Sequence, residues 1–163
     1  SITGSDRGFM LDPTSSSGVY RIRSSATVAT DITHYQFYNT NGLVGSINTN
    51  ANATSFNTSS DHRLKENVVD MSGAIDRVKQ LAPKRFNFIS DADTTVDGFL
   101  AHEAQTVVPE AVTGTHNEVD DDGNPVMQGI DQSKLVPLLT GALKEAITKI
   151  EALEARVTTL ENA

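Results

Sequence analysis

Eight apolar residues near the C-terminus, Val136, Leu139, Leu143, Ala146, Ile150, Leu153, Val157 and Leu160, are spaced alternately by three and four positions. That spacing keeps one narrow stripe of an α-helix apolar, and neither a strand nor a loop produces it. It predicts a helix from about Ser133 to Leu160, roughly 40 Å long at ~1.5 Å per residue. Pro137 falls near the first turn, where its missing N–H costs least, while Gly141 weakens the turn that follows. With Val136 at heptad position a, Lys149 occupies a g position and Glu154 the next e, and Arg156 and Glu161 repeat the arrangement. In a parallel, in-register oligomer each cation faces a carboxylate of the neighbour. An exposed pair of this kind contributes only ~0–1 kcal/mol, but it sets orientation. A helix packed on its own domain also carries an apolar stripe. The unbroken seam and the charge register favour self-association. On simple rules Val, Leu, Ile and Val at a with mostly Leu at d lean toward two strands, and Ala146 is the weak point.

The rest of the chain is of two kinds. Residues 1–59 are rich in Ser, Thr, Asn and Gly, with short β-favouring pieces ("GVYRIRSS", "ATVATD", "HYQFYNT", "LVGSIN") between turn residues. Alternation is visible at Val19, Arg21 and Ile22 and at Tyr35, Phe37 and Tyr38, but each piece is too short to bury a core. We read this stretch as a short-stranded β element completed by other chains. Its aromatics are read as packing residues of a β stalk, in preference to a sugar-binding platform. From Asp61 the pattern changes. Ser72 is placed to cap a helix carrying Ile75, Val78 and Leu81, stopped by Pro83. "KRFNFI" alternates like a strand, "SDADTTVDG" reads as a loop, and a short helix spans about Ala101 to Val107 before Pro109. "TGTHNEVDDDGNP" is a second polar loop and "VMQGI" a short strand, so the order is α-β-α-β-α, a small α+β unit. At 37% hydrophobic and without Trp, 163 residues are lean for a single globule, which again points to oligomerisation.

The junction between the two halves reads "SSDHRLKENVVD", from Ser59 to Asp70. A serine hydroxyl is a poor nucleophile until a base takes its proton. A lysine can do so if desolvation or a neighbouring cation lowers its pKa. Ser60 and Lys65 are five apart, close enough for a turn to bring them together. Arg63 is a candidate oxyanion stabiliser, and Glu66 or Asn67 a candidate to orient Lys65. Taken alone, this spacing is also that of a charged lead-in to a helix.

The junction and the blocks after it resemble one family. "SSDHRLKENV", "AIDRVKQLAPKRFNF", "DGFLAHEAQTVVPEAVTG" and "GIDQSKLVPLLTGALKEAITKIEALEARV" follow, in order, the motifs of the intramolecular chaperone auto-processing domain that closes phage tailspikes, endosialidases and tail fibres. Even "FYNTNGLVGSINTNANATSFNTSSD" looks like the fibre tail that usually precedes it, so the resemblance runs from about Phe37 to Leu160. It implies an intertwined homotrimer with a β-structured stalk end at 1–60 and a chaperone domain at 61–163. The latter divides into an α+β head at 61–131 and a coiled-coil helix at 132–163. It implies a domain that assembles and registers the upstream stalk of its own chain, its folding client, and then releases itself as a single-turnover, serine-type endopeptidase. The cleavage serine matches Ser60, its paired lysine Lys65, and Asp61 follows the cut; Arg63, Glu66 and Asn67 match the rest of the motif, and His62 sits at a variable position. The implied setting is a tail-fibre or tailspike precursor assembled in the host cytoplasm. A Ser60 hydroxyl reaches its own carbonyl only through a four-membered ring. Attack after Ser60 can instead use the Asp61 carboxylate, through a six-membered ring, or a water, with Ser60 and Lys65 relaying protons. The trimer is implied by the resemblance, not by the heptads. Two rivals stand beside this reading, an uncleaved structural foot and a receptor-binding fibre tip. The loops at 90–98 and 114–125 either guide the stalk or are ordinary solvated loops.

Other chemistries find little support. A formal net charge of -8 without a basic run makes a poor binder of nucleic acid or anionic membrane. No apolar run is long enough for a bilayer, Ser1 opens no signal-peptide pattern, and the start reads as that of an excised fragment. Zero Cys removes thiol chemistry and disulfides. Asp120, Asp122, Asn124 and Asp131 fall at calcium-loop positions, but Pro125 stands where a glycine is needed and the twelfth residue is not Glu, so a hairpin loop is expected. His34, His62, His102 and His116 lack metal-ligand spacing. No metal site and no cofactor is expected.

Overall fold

The computed structural model describes residues 8–14 and 19–163. The chain forms two compact units, 1–68 and 69–163. Together they give an α+β protein with several small antiparallel sheets and one long C-terminal helix.

The first unit is all β. Strands β1 (Gly8–Thr14) and β2 (Val19–Ser25) pair with each other; Gly18 and the side chains of Val19, Arg21 and Ile22 lie outside the described residues. Strands β3 (Ile32–Asn39), β4 (Gly42–Asn50) and β5 (Ala53–Thr58) form a three-stranded meander. "ATVATD", expected as a strand, is instead a bent connection from residue 26 to 31. In the meander Tyr35 stands opposite Ile47, and Ile47 opposite Phe56. Phe37 faces Gly45, where a Cβ would lie 2.9 Å from the Asn57 carbonyl oxygen on β5. Phe37, Tyr38 and Phe56 remain exposed. His34 accepts or donates through both ring nitrogens, to Ser24 Oγ at 2.7 Å and Thr49 Oγ1 at 2.8 Å, tying β2 to the meander.

The second unit is built around the start of the long helix. Helix α1 (Ala74–Val78) is followed by the hairpin β6 (Lys84–Phe88) and β7 (Asp91–Gly98), then α2 (Ala101–Gln105). Two short strands, β8 (Val112–Thr113) and β9 (Gly129–Ile130), flank the acidic loop, and a 3-10 turn at Gln132–Leu135 leads into α3 (Val136–Glu161). Leu138 and Val108 are the largest fully buried side chains, joined by Ala74, Ala104, Val107, Ala111, Val112 and Leu135. A core this rich in Ala and Val works because elements approach closely. Gly141 shows how: a Cβ there would lie 3.0 Å from the Met71 sulfur and 3.1 Å from the Ala74 Cβ.

Several expectations are corrected. Ser72 is not the cap of α1; Gly73 takes that position at φ 69°, with no capping side chain of its own. The free N–H groups of Ala74 and Ile75 donate instead to the two carboxylate oxygens of Glu145 on α3, at 2.9 and 3.0 Å. Those bonds hold the Glu145 carboxyl below its ordinary pKa. "SDADTTVDG" is largely strand β7, because Phe86 pairs with Val96 and Arg85 makes a two-pronged ion pair with Asp97 at 2.7 and 3.0 Å. The helix predicted to Val107 ends at Gln105, and "VMQGI" is strand only at Gly129–Ile130, the Gln128 side chain turning to donate to Gln105 at 3.0 Å.

Candidate functional site

The Ser60–Lys65 stretch lies at the end of the first unit, directly after β5. Ser59 anchors it: its N–H donates to the Val44 carbonyl at 3.1 Å and its hydroxyl to the Leu43 carbonyl at 2.9 Å. Asp61 then opens a 3-10 turn over His62–Leu64. The turn is closed by Leu64 N–H to the Asp61 carbonyl and Lys65 N–H to the His62 carbonyl, each at 3.1 Å. Asp61 caps it by accepting from the Arg63 N–H at 2.9 Å.

The turn reverses the chain enough for Lys65 to reach back to Ser60. Its Nζ donates to the Ser60 hydroxyl at 2.8 Å and to the Ser60 carbonyl oxygen at 3.1 Å. One amino group thus touches both the candidate nucleophile or proton relay and the carbonyl of the Ser60–Asp61 bond. Such a group can polarise that carbonyl and exchange a proton with the hydroxyl. Ser60 and Lys65 are both exposed, so the single chain orients the pair without drying it.

The other residues singled out from the sequence are placed differently. Arg63 does not reach the Ser60 carbonyl; its Nε and Nη2 grip the Asp61 carboxylate at 2.9 and 2.8 Å. The Arg63 guanidinium, helped by the Arg63 N–H, lowers the Asp61 pKa, and Asp61 in turn raises that of Arg63. Among the described residues neither Glu66 nor Asn67 hydrogen-bonds Lys65; Asn67 instead takes a left-handed backbone at φ 53°. His62 is open to solvent, 3.5 Å from Asp61.

The heptad residues occupy one face of α3. Val136, Leu139, Leu143, Ile150, Leu153, Val157 and Leu160 are between 48% and 74% exposed, and Ala146 is half-buried. The helix packs on its own unit through Leu138, Gly141, Ala142 and Glu145, a different face. Reasoning from the sequence missed this second face. Leu135, Leu138 and Ala142 are spaced three and four apart, a signal for it that was present but overshadowed by the longer seam.

The acidic loop is a hairpin, with Asp120 N–H donating to the Asn124 carbonyl at 2.9 Å and Val126 N–H to the Glu118 carbonyl at 2.8 Å. The Asp120 carboxylate is taken up by the loop itself, accepting from the N–H groups of Asp122 and Asn124 at 3.0 and 2.8 Å. No helix among the described residues is long and apolar enough to cross a membrane.

Two comparisons with known proteins bear on this chain. The chain is 31% identical over 112 residues to the long tail fiber proteins of Enterobacteria phages K3 and T2. The match takes in 66% of this chain but only 9% and 8% of those proteins, so the chain spans less than a tenth of their length. Residues 60–113, from the Ser60–Lys65 turn to β8, match a family named as a peptidase and described as the chaperone of endosialidase. Over residues 60–113 the chain is similar to that chaperone-of-endosialidase family.

Proposed function

We propose that the chain is part of a phage tail fibre or tailspike and carries its own removable chaperone. Three copies assemble through the exposed seam of α3, the assembled domain brings the upstream β segments into register, and each copy then cuts itself between Ser60 and Asp61. Boundaries at 60/61 and 131/132 would separate stalk end, head and coiled coil. The fiber names of the relatives and the family description support the chaperone role. The observation that carries the cut is the Lys65 Nζ, 2.8 Å from the Ser60 hydroxyl and 3.1 Å from the Ser60 carbonyl oxygen. The net reaction is hydrolysis. A water adds to the Ser60 carbonyl carbon, the C–N bond breaks, and a proton passes to the departing nitrogen. Ser60 is left with a carboxylate and Asp61 with a new amino terminus. Ser60 and Lys65 move the protons, and Lys65 stabilises the developing oxyanion.

The separation of faces on α3 supports assembly. A stripe of large apolar side chains left open on a folded unit is the surface a partner covers. A stalk of interchain strands has mostly non-local contacts and loses much entropy on assembly, so a fast local oligomer that raises effective concentration helps it fold. Cutting afterwards leaves the stalk kinetically trapped.

The test is the intact mass of freshly expressed chain beside Ser60→Ala and Lys65→Ala. The expected result is two fragments meeting at Ser60/Asp61 for the natural sequence and a whole chain for both variants. A natural sequence that stays whole while forming a stable oligomer makes the domain a permanent foot and removes the peptidase reading.

A further inference from the structure

We infer that Asp61 and Arg63 are positioning residues for this cut: held by Arg63, the Asp61 carboxylate closes the turn that seats Lys65 on Ser60, and it is not the attacking group. The inference rests on the self-cleaving reading above. It addresses the choice between the Asp61 carboxylate and water as the attacking species.

Five residues of extended chain span roughly 17 Å at ~3.3–3.6 Å each, so the contact from Lys65 to Ser60 exists only because the chain turns back. The device is a 3-10 turn of three residues, exposed throughout. So short a turn has little stability of its own. Its cap is the Asp61 side chain, which accepts from the Arg63 N–H at 2.9 Å. The same carboxylate is then bound by the Arg63 fork, one oxygen to Nε at 2.9 Å and the other to Nη2 at 2.8 Å. Both oxygens are committed to Arg63, and an attack on the Ser60 carbonyl would require them to leave it.

The ion pair has a second consequence. Lys65 lies near enough to Asp61 to act on its charge. An unpaired Asp61 carboxylate would compete with Ser60 for the lysine amino group. Arg63 satisfies that carboxylate and leaves Lys65 to the Ser60 hydroxyl and carbonyl. Arg63 therefore acts through Asp61 and Lys65, without touching the reacting atoms.

The experiment is a time course of self-cleavage in the full chain, followed by intact mass, with each variant first shown to keep the helical content of the natural sequence. Asn caps helical turns as well as Asp does, so Asp61→Asn is expected to cut at the same bond within about threefold of the natural rate. Asp61→Ala is expected to slow the cut roughly tenfold, the usual scale of a lost cap. Arg63→Ala slows it similarly, and the double variant is no slower than the slower single one, because the two residues form one device. In the uncut Ser60→Ala chain, the Arg63 amide is protected from hydrogen exchange with Asp or Asn at 61 and unprotected with Ala. Loss of all cutting in Asp61→Asn, faster cutting in Arg63→Ala, or protection of the Arg63 amide that ignores Asp61→Ala each overturns the inference alone. A natural sequence that never cuts overturns the self-cleaving reading, and the inference with it.

Discussion

Two leucines on α3, fifteen residues apart, test the division of that helix into an inward and an outward face. Leu138 is 2% exposed and sits among Ala74, Val108 and Leu135; Leu153 is 57% exposed. Truncating a buried leucine to alanine costs the lost transfer free energy and a cavity, about 2–5 kcal/mol. The unit from 69 to 163 has 95 residues (163 − 68). Domains of that size hold roughly 5–14 kcal/mol in all, so Leu138→Ala removes a large share. At ~4–8 °C per kcal/mol, a loss near 3 kcal/mol lowers the melting temperature by roughly 10–25 °C. Leu153→Ala touches little of its own chain and leaves a lone copy within ~0.5 kcal/mol. In an assembled seam it forfeits about 1.5–3 kcal/mol per copy and weakens association ten- to a hundredfold or more. The assay is thermal unfolding by far-UV circular dichroism in the Ser60→Ala background, over roughly a hundredfold range of concentration, with sedimentation equilibrium beside it. Leu138→Ala should lower the melt at every concentration, whereas Leu153→Ala should shift the dissociation midpoint upward. If Leu153→Ala melts like Leu138→Ala regardless of concentration, the outer face is covered by its own chain and the reasoning is refuted.

Three further outcomes follow from single contacts. The Glu145 carboxyl is lowered from its ordinary 4.5 by the Ile75 and Ala74 N–H groups, so it stabilises the fold above that value and the contribution is lost as pH falls through the folded-state pKa. Melting temperature measured against pH should therefore drop below about pH 4.5 in the natural sequence and drop less in Glu145→Gln. Asp97, Asp120 and Asp131 are lowered too and leave some acid sensitivity in the variant. Gly45→Ala puts a Cβ 2.9 Å from the Asn57 carbonyl oxygen, so β4 and β5 must separate, at a cost of about 1–3 kcal/mol; amide exchange across that pair would show it. Gly141→Leu should detach α1 from α3, despite leucine's better helix propensity of about 1 kcal/mol, because Ala74 and Met71 leave no room. An unchanged melt in that variant would mean the helices do not meet there.

What the sequence disclosed depended on periodicity. The seam of α3 and the strands around Tyr35 and Ile47 repeat at the helix and strand periods, and their positions were legible within a few residues. Strand β7 was not, because Asp91–Gly98 is polar and lies in a hairpin that is mostly solvated. Its pairing is set by Phe86 opposite Val96 and by the Arg85–Asp97 fork, which appear only when both strands are laid side by side. The cap of α1 was illegible for a different reason. Ser72 offered a local solution, but Glu145, 71 residues from Ala74, supplied a tertiary one. At the junction, the pairing of Ser60 with Lys65 was readable from motif order, whereas Arg63 bound to Asp61 was not, since any of its acidic neighbours is an equally good partner on paper.

The geometry of the junction also bears on when the cut would occur. A lysine assists a serine most effectively where water is excluded and its charge is disfavoured. Here the contact at 2.8 Å is made within one chain, yet both side chains are exposed. Orientation is thus supplied by the turn, and burial has to come from elsewhere. On the proposed reading it comes from a neighbouring copy, which would make self-cutting a reporter of assembly. Two measurements separate the contributions. Diluting the freshly refolded chain below its association midpoint should slow the cut, because the pair stays wet. Mixing Ser60→Ala with Lys65→Ala chains in one oligomer should restore no cutting, because the hydroxyl and the amino group must belong to the same turn. If the mixed oligomer cuts, Lys65 works across the interface on a neighbour's Ser60, and the contact within the chain is only the resting arrangement. If dilution leaves the rate unchanged, the exposed turn is sufficient by itself and assembly does not gate the reaction.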